Sequence, residues 1–539
     1  MKAFSHLLGV ILLLCTLNFH AAAKRPNIVF CFADDWGRHA SVFTEIDGPG
    51  TVNDVIATPN FDALAKEGVL FNNAFVSSPS CTPCRSALLS GQHFWRTGMG
   101  SILWGQWDES IPSYPLEMEK SGYHIGYSYK AWGPGTPISA PFGGTKNIYI
   151  KAGKSFNNFS QTATKLVRKG LSVDEAKETL YDEVRQNFKD FLLAREDGEP
   201  FCYWFGPTNV HRKWTKGSGK ALWGMDPDQL KGKMPPFLPD VHEVREDLND
   251  YLGEAQAFDR GIGVLFEVLK EIGEYENTII AISGDHGAPG FPHGKSNLYD
   301  FGSQVPLLLV GPGIKGGRIV EDFVSLPDLA PTFMEAGGVA PLDVMTAKSL
   351  WKVLSSDQAG LVDPERTQVY IGRERHVPEA REGQITYPQR AIRTKDFLFI
   401  INFKPDRYPL GDHFRLNGGQ EPSLEELTTN TRVTIADEDS GPTKAWIVSH
   451  RQSEGKTFFE HAYGKRPEEE LYHIKNDPYQ MNNLADSPEH QDTVTELRNK
   501  LMNELRSTSD PRLIDEGKFY EKTILGKNPV KNKESQNKP

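Results

Sequence analysis

Two acidic pairs in the sequence could hold a hard cation. Asp34-Asp35 directly follows the apolar run Asn27 to Ala33, and Asp285-His286 directly follows Thr278 to Ser283. Ca²⁺ takes several carboxylate oxygens, and in open parallel sheets ligands gather beyond the carboxyl ends of strands, so the two pairs could converge on one ion. An Asp after a strand also caps a turn on its own account, and the imidazole of His286 suits a transition metal better than Ca²⁺. Taken singly, the pairs leave both readings open. A second candidate is Ser80-Cys81-Thr82-Pro83-Cys84-Arg85. Cys81 precedes a short helix, whose N-terminal end favours an anion or alkoxide. Pro83 calls for an extended approach to that helix, and Arg85 adds a permanent cation. The Cys-x-Pro-Cys spacing also fits a thioredoxin-like redox pair or two unreactive thiols, and spacing does not choose among these.

The elements that must position these residues alternate. Asn27 to Ala33 is an almost unbroken apolar run, as in a strand covered on both faces. Thr58-Pro59 starts a helix that runs through Leu64 to Glu67 and closes at Gly68. Val69 to Val76 reads as a strand, and Ser86 to Ser90 as a helix ended by Gly91. Further strands are expected at Phe201-Phe205, Thr278-Ser283 and Pro306-Val310, with a long amphipathic helix from Val244 to Leu269. Such alternation predicts an α/β fold with a mostly parallel sheet between helices. After about Pro364 the texture shifts to shorter strands (Gln368-Ile371, Arg390-Thr394, Phe397-Asn402, Glu470-His473) and a helix from Thr493 to Leu505. The expected organisation is therefore a larger catalytic domain over 24–364, a smaller C-terminal α+β domain over 365–510, and a partly disordered tail over 511–539.

Composition narrows the function classes. The 539 residues carry 60 Lys+Arg against 71 Asp+Glu, a formal charge of −11, which argues against nucleic acid as partner because phosphate neutralisation needs surplus cations. Lys2, the apolar core Leu7 to Leu17 and Ala21-Ala22-Ala23 have the pattern of a signal peptide over 1–23, too short to span a bilayer. With no other membrane-length stretch, the expectation is an exported protein of the periplasm or the medium. Cys31 and Cys202 lie in apolar runs, where free Cys behaves as a small hydrophobe.

The wider string around Cys81 carries a resemblance. Cys81-Thr82-Pro83-Cys84-Arg85 followed by Leu88-Leu89-Ser90-Gly91 resembles the signature of the formylglycine-dependent sulfatases. The similarity continues through Arg25-Pro26-Asn27-Ile28, Thr58-Pro59-Asn60, Gly122-Tyr123 with Lys130, Ser283-Gly284-Asp285-His286-Gly287, Asp328-Leu329-Ala330-Pro331-Thr332 and Glu470-Leu471-Tyr472. Pro388-Gln389-Arg390-Ala391 with Asn402-Phe403-Lys404 most resembles the branch containing heparan N-sulfatase. The resemblance implies an alkaline-phosphatase-like fold and a sulfuric ester hydrolase acting on a sulfated saccharide, with O- or N-sulfate cleavage open. It also implies a maturation enzyme that oxidises Cys81 to formylglycine.

The same resemblance implies roles. Asp34, Asp35, Cys81, Asp285 and His286 match the positions around a divalent cation, Ca²⁺ or another. Hydrated formylglycine at 81 would attack sulfur, with Arg85 steadying it. Lys130 and Lys295 match the residues that grip sulfate oxygens, and His211 matches the donor of a proton to the leaving group. Three departures stand out: Cys84 where Ser is frequent, His286 where Asn is common, and Trp132 in place of the His that serves as base for sulfate elimination. Tryptophan cannot take a proton, so His293, His211 or a metal-bound water would have to substitute. Trp132, with Trp95, Trp104 and Trp107, could form a sugar-stacking face or simply be core. Competing readings are a phosphonate or phosphate ester hydrolase of the same superfamily, a thiol-disulfide protein built on Cys81-Cys84, and a catalytically weak glycan-binding relative.

Overall fold

The computed structural model describes residues 24–521; the expected signal peptide 1–23 and the residues from 522 onward lie outside the described residues. Seven strands form the main sheet: β1 (Asn27–Ala33), β2 (Val69–Phe75), β3 (His124–Tyr129), β4 (Phe201–Gly206), β5 (Thr278–Gly284), β6 (Leu307–Val310) and β7 (Arg318–Ser325), in the order β3-β4-β1-β5-β6-β2-β7. β1 lies inside the sheet between β4 and β5, parallel to both. Only β6 runs against its neighbours, so the fold is α/β with a mostly parallel sheet.

Alternation along β1 explains why the strand is apolar throughout. Val29, Cys31 and Ala33 enter one core with Leu248, Leu252 and Leu265 of a long helix, while Ile28, Phe30 and Phe32 enter a second core with Leu88 and Phe333 on the other face. Helices therefore cover both faces. They include α1 (Pro59–Glu67), α2 (Cys81–Ser90), α3 (Val173–Leu193) and the thirty-residue α4 (His242–Glu271). Asp259 of α4 accepts the backbone N–H groups of Asn60 (3.1 Å) and Phe61 (2.7 Å), which seats the otherwise unsatisfied first turn of α1.

α2 corrects one expectation. It begins at Cys81 and not at Ser86, so Pro83 lies inside its first turn instead of in an extended approach. Proline is tolerated there because a first-turn N–H has no helical acceptor. Cys81 is thus the first residue of the helix.

The chain after Gln368 builds a second, antiparallel sheet in the order β11-β10-β9-β8, from β8 (Gln368–Arg373), β9 (Gln389–Thr394), β10 (Phe397–Asn402) and β11 (Glu469–His473). Two helices accompany it, α5 (Pro442–Ser449) and α6 (Gln491–Ser507). Val494, Leu497, Leu501 and Leu505 recur on one face of α6 and pack on Ile392 and Phe399 of the sheet and on Phe94 and Trp95, which follow α2. Among residues 511–521, Arg512 is buried and pairs with Glu374. Among the described residues no helix is long and apolar enough to cross a membrane.

Candidate active site

The carboxyl ends of β1 and β5, side by side in the sheet, place the acidic pairs together. The Asp35 backbone N–H donates to Asp285 Oδ1 (2.7 Å), and the Asp285 N–H donates to the Ala33 carbonyl (3.1 Å). Asp35 takes the left-handed backbone conformation (φ 62°), a region that Asp tolerates better than most side chains and that gathers at functional sites. Gly284 is required: a Cβ there would meet the Trp36 carbonyl oxygen at 1.9 Å.

Cys81, at the N-terminal end of α2, faces this group. Its Sγ lies 3.5 Å from His286 Nε2 and 4.0 Å from Asp35 Oδ1. His286 Nε2 in turn lies 3.3 Å from Asp35 Oδ1 and 3.4 Å from Asp285 Oδ1. The candidate donor atoms of Asp35, Cys81, Asp285 and His286 all fall within 4.8 Å of one another, and those of Asp34, Asp35 and His211 do likewise. Carboxylate oxygens and an imidazole nitrogen at such separations form a donor set that fits a divalent cation.

Three cations balance the carboxylates. Arg85 is wholly buried; its Nε donates to Asp285 Oδ2 (2.9 Å), one terminal nitrogen to Asp34 Oδ1 (3.1 Å) and the other to the Lys130 carbonyl (3.0 Å). Its planar fork thus organises the two acidic pairs. Arg85 lies outside the residues lining the cavity, so it acts on the carboxylates and not as a direct clamp on position 81. Lys130, just past β3, reaches Asp34 Oδ1 at 2.5 Å, and Lys295 reaches Asp35 Oδ2 at 3.0 Å and Asp439 at 3.3 Å. Burial would raise the Asp34 pKa, but Lys130, Arg85 and His211 hold it well below the usual carboxylate range. His211 Nε2 stands 3.8 Å from Asp35 Oδ2.

A cavity of about 360 Å³ opens above this cluster. Cys81, Lys130, His211 and Lys295 line it, joined by Trp104, His376, Arg432 and Asp439. The last three come from the chain beyond β8, in loops whose sequences carry no recognisable motif; sequence reasoning missed them. His376 is held by Ser80 Oγ at 2.8 Å from its Nδ1.

Two expected site residues are elsewhere. His293 is buried between Phe237 and Tyr299, with ring centroids at 4.4 and 4.0 Å, and its Nε2 lies 2.8 Å from that of His461. Burial, then His461 and Arg466, hold its pKa well below the ordinary value, and it lies outside the residues lining the cavity. Trp132 is fully buried, donates from Nε1 to Ser86 Oγ (2.8 Å) and packs edge-on against Trp107. Trp95 and Trp107 are buried as well, so the proposed sugar-stacking face reduces to Trp104. Cys81 and Cys84 are both free and buried. Burial, then the Asp34 charge, push the Cys81 thiol pKa up, and burial, then the Asp285 charge, raise that of Cys84.

The chain is similar to known proteins over most of its length. The family model described as "Sulfatase" matches residues 26–339. An "Ulvan-active sulfatase" of Formosa agariphila is 25% identical over 529 residues, covering 94% of this chain and 79% of the relative. The human "N-sulphoglucosamine sulphohydrolase" is 26% identical over 518 residues, covering 91% of each chain. A solved structure in complex with its substrate D-glucosamine-2-N,6-O-disulfate superposes with a TM-score of 0.59 at 19% identity, over 90% of this chain and 99% of that one.

Proposed function

The chain belongs to the sulfatase family and is a sulfuric ester hydrolase, and on that premise we propose that it is an exported enzyme removing sulfate from a sulfated saccharide. The observation that carries the reading is the convergence of Cys81, Lys130, His211 and Lys295 on one cavity beside the acidic cluster. The saccharide assignment draws support from relatives named for ulvan and N-sulphoglucosamine. Export rests on the signal-like pattern of residues 1–23.

Asp34, Asp35, Asp285 and His286 would hold a divalent cation beside position 81. With Cys81 converted to formylglycine by a maturation enzyme, the two groups supply a nucleophilic oxygen and positive charge at the sulfur. The chain's own residues do the rest. Lys130 and Lys295, each now resting on a carboxylate, grip the sulfate oxygens and neutralise charge as the S–O bond breaks. His211 gives its proton to the departing oxygen or nitrogen. Arg85 keeps Asp34 and Asp285 oriented. With Trp132 and His293 both outside the cavity, His211 and His376 are the imidazoles that face it. Between O- and N-sulfate, resemblance to the N-sulphoglucosamine relative favours testing N-sulfate first.

The test is sulfate release by ion chromatography from N-sulfated glucosamine, 6-O-sulfated glucosamine and ulvan oligosaccharides, with phosphate and phosphonate esters in parallel. The expected result is sulfate release from at least one saccharide, abolished by Cys81→Ala. Faster cleavage of the phosphonate or phosphate esters would overturn the assignment.

A further inference from the structure

Asp439 is the one acid among the residues that line the cavity; the other ionisable groups there are Cys81, Lys130, His211, Lys295, His376 and Arg432. A carboxylate beside an anion's binding site repels the anion and loses hydration, so its presence calls for an explanation.

The local structure aims it there. Asp439 ends a run of three consecutive acids, and the first two are consumed inside the protein. Asp437 takes Arg381 at 2.8 Å, Arg373 at 3.1 Å and the Val377 N–H at 2.7 Å. Glu438 accepts the Tyr463 hydroxyl at 2.5 Å. The buried ammonium of Lys444, on α5, donates to the Ile435 and Glu438 carbonyls at 3.0 and 2.8 Å and fixes the loop backbone. Asp439 alone of the three turns to the cavity. There its Oδ2 pairs with Lys295 at 3.3 Å without a formal hydrogen bond, and the side chain stays partly exposed. Burial would raise its pKa, but Lys295, His211, His376 and Arg212 hold it well below the usual carboxylate range. Ion-paired with Lys295 on a loop fixed by Lys444, it is placed as an ionised acceptor.

We infer that Asp439 is a specificity-determining residue that accepts a hydrogen bond from an O–H or N–H group carried next to the scissile sulfate. The inference rests on the sulfatase reading and narrows its substrate class to sulfated sugars with a donor at or vicinal to the sulfated atom. A substrate with that donor gives the carboxylate a hydrogen bond beyond its Lys295 ion pair; one without it cuts the carboxylate off from water with no such bond in exchange, and sites built this way discriminate against the analogue.

Catechol monosulfate and phenyl sulfate differ by one hydroxyl beside the ester. Calorimetric binding of both to full-length Cys81→Ala protein, supplied with Ca²⁺, isolates recognition from turnover. The expected result is a dissociation constant about tenfold or more lower for catechol monosulfate. Adding Asp439→Ala should bring the ratio to about one. Asp439→Asn, whose amide oxygen accepts a weaker neutral bond, should give an intermediate ratio at an unchanged melting temperature and guards against misfolding of the Ala variant. A ratio near one before substitution, a preference that survives Asp439→Ala, or an equal loss of both ligands would overturn the inference; equal loss would mean that Asp439 acts only through Lys295. Absence of sulfate release from aldehyde-bearing protein, with the binding ratio intact, would instead overturn the hydrolase reading alone.

Discussion

Lys295 shows how a charge can serve two partners. It bridges Asp35 at 3.0 Å and Asp439 at 3.3 Å while lining the cavity beside Cys81, so it is already desolvated and oriented before an anion enters. Preorganised charge of this kind costs no reorganisation during reaction. Lys295→Ala should lower kcat/KM for the cleaved saccharide sulfate by about 10²–10³-fold, measured by sulfate release; an unchanged rate would remove Lys295 from the machinery. Residue types made much of this cluster legible beforehand. Asp34, Asp35, Asp285 and His286 follow apolar strands, and Cys81 to Arg85 form a compact signature. The sequence leaves His293 and Trp132 open between site and core because their surroundings come from distant segments. Phe237, Tyr299 and His461 close around the first, and Ser86 and Trp107 around the second. Asp439 gave no signal at all: nothing local distinguishes it from Asp437 and Glu438.

At the scale of elements, α4 does more than cover the sheet. Its Glu254 accepts the Ser160 N–H (3.2 Å) and the Asn209 side-chain amide (3.1 Å), and so ties down the loop that carries His211. Burial pushes its pKa from the ordinary 4.5 up to about 7. A carboxyl whose folded pKa is raised stabilises the fold below its unfolded value, and that contribution is lost as pH rises through the folded pKa. The window is therefore about pH 4.5 to 7. Glu254→Gln cannot ionise, so the melting temperature of the unsubstituted protein should fall relative to the variant between pH 5 and pH 8; parallel curves would contradict the assignment. The strands found by apolar runs were β1, β2, β4, β5 and β6. β7 is harder to read because Arg318, Glu321 and Asp322 interrupt it; Glu321 is exposed, and Asp322 is buried by accepting the N–H groups of Val362 and Asp363. α2 was placed five residues late because Pro83 reads as a break, whereas a first turn tolerates it.

At the scale of the molecule, the two sheets share one cavity. The main sheet delivers the acidic pairs and Lys130 from strand ends, α2 delivers Cys81, and the chain after β8 closes the far wall with His376, Arg432 and Asp439. Within the C-terminal part a buried ionic cluster holds the chain together: Arg390 holds Asp510 (2.6 Å) and Glu374 (2.8 Å) with no exposure. A buried pair of this kind is weak ground for stability, and costly when one partner is lost; its service here is to fix how the loops meet. Alternating β and α segments made the α/β class readable from sequence, but the far wall of the cavity depends on loop packing that no periodicity encodes. The central claim is that Cys81, at the first position of α2 beside the acidic cluster, becomes the aldehyde that the chemistry requires. The most direct test is the mass of the tryptic peptide ending at Arg85, from protein produced together with a formylglycine-generating enzyme. The expected result is the mass loss of replacing the thiol by an aldehyde, with the Cys84 thiol intact. An unmodified Cys81 thiol despite an active maturation enzyme, or a Cys81–Cys84 disulfide, would contradict it.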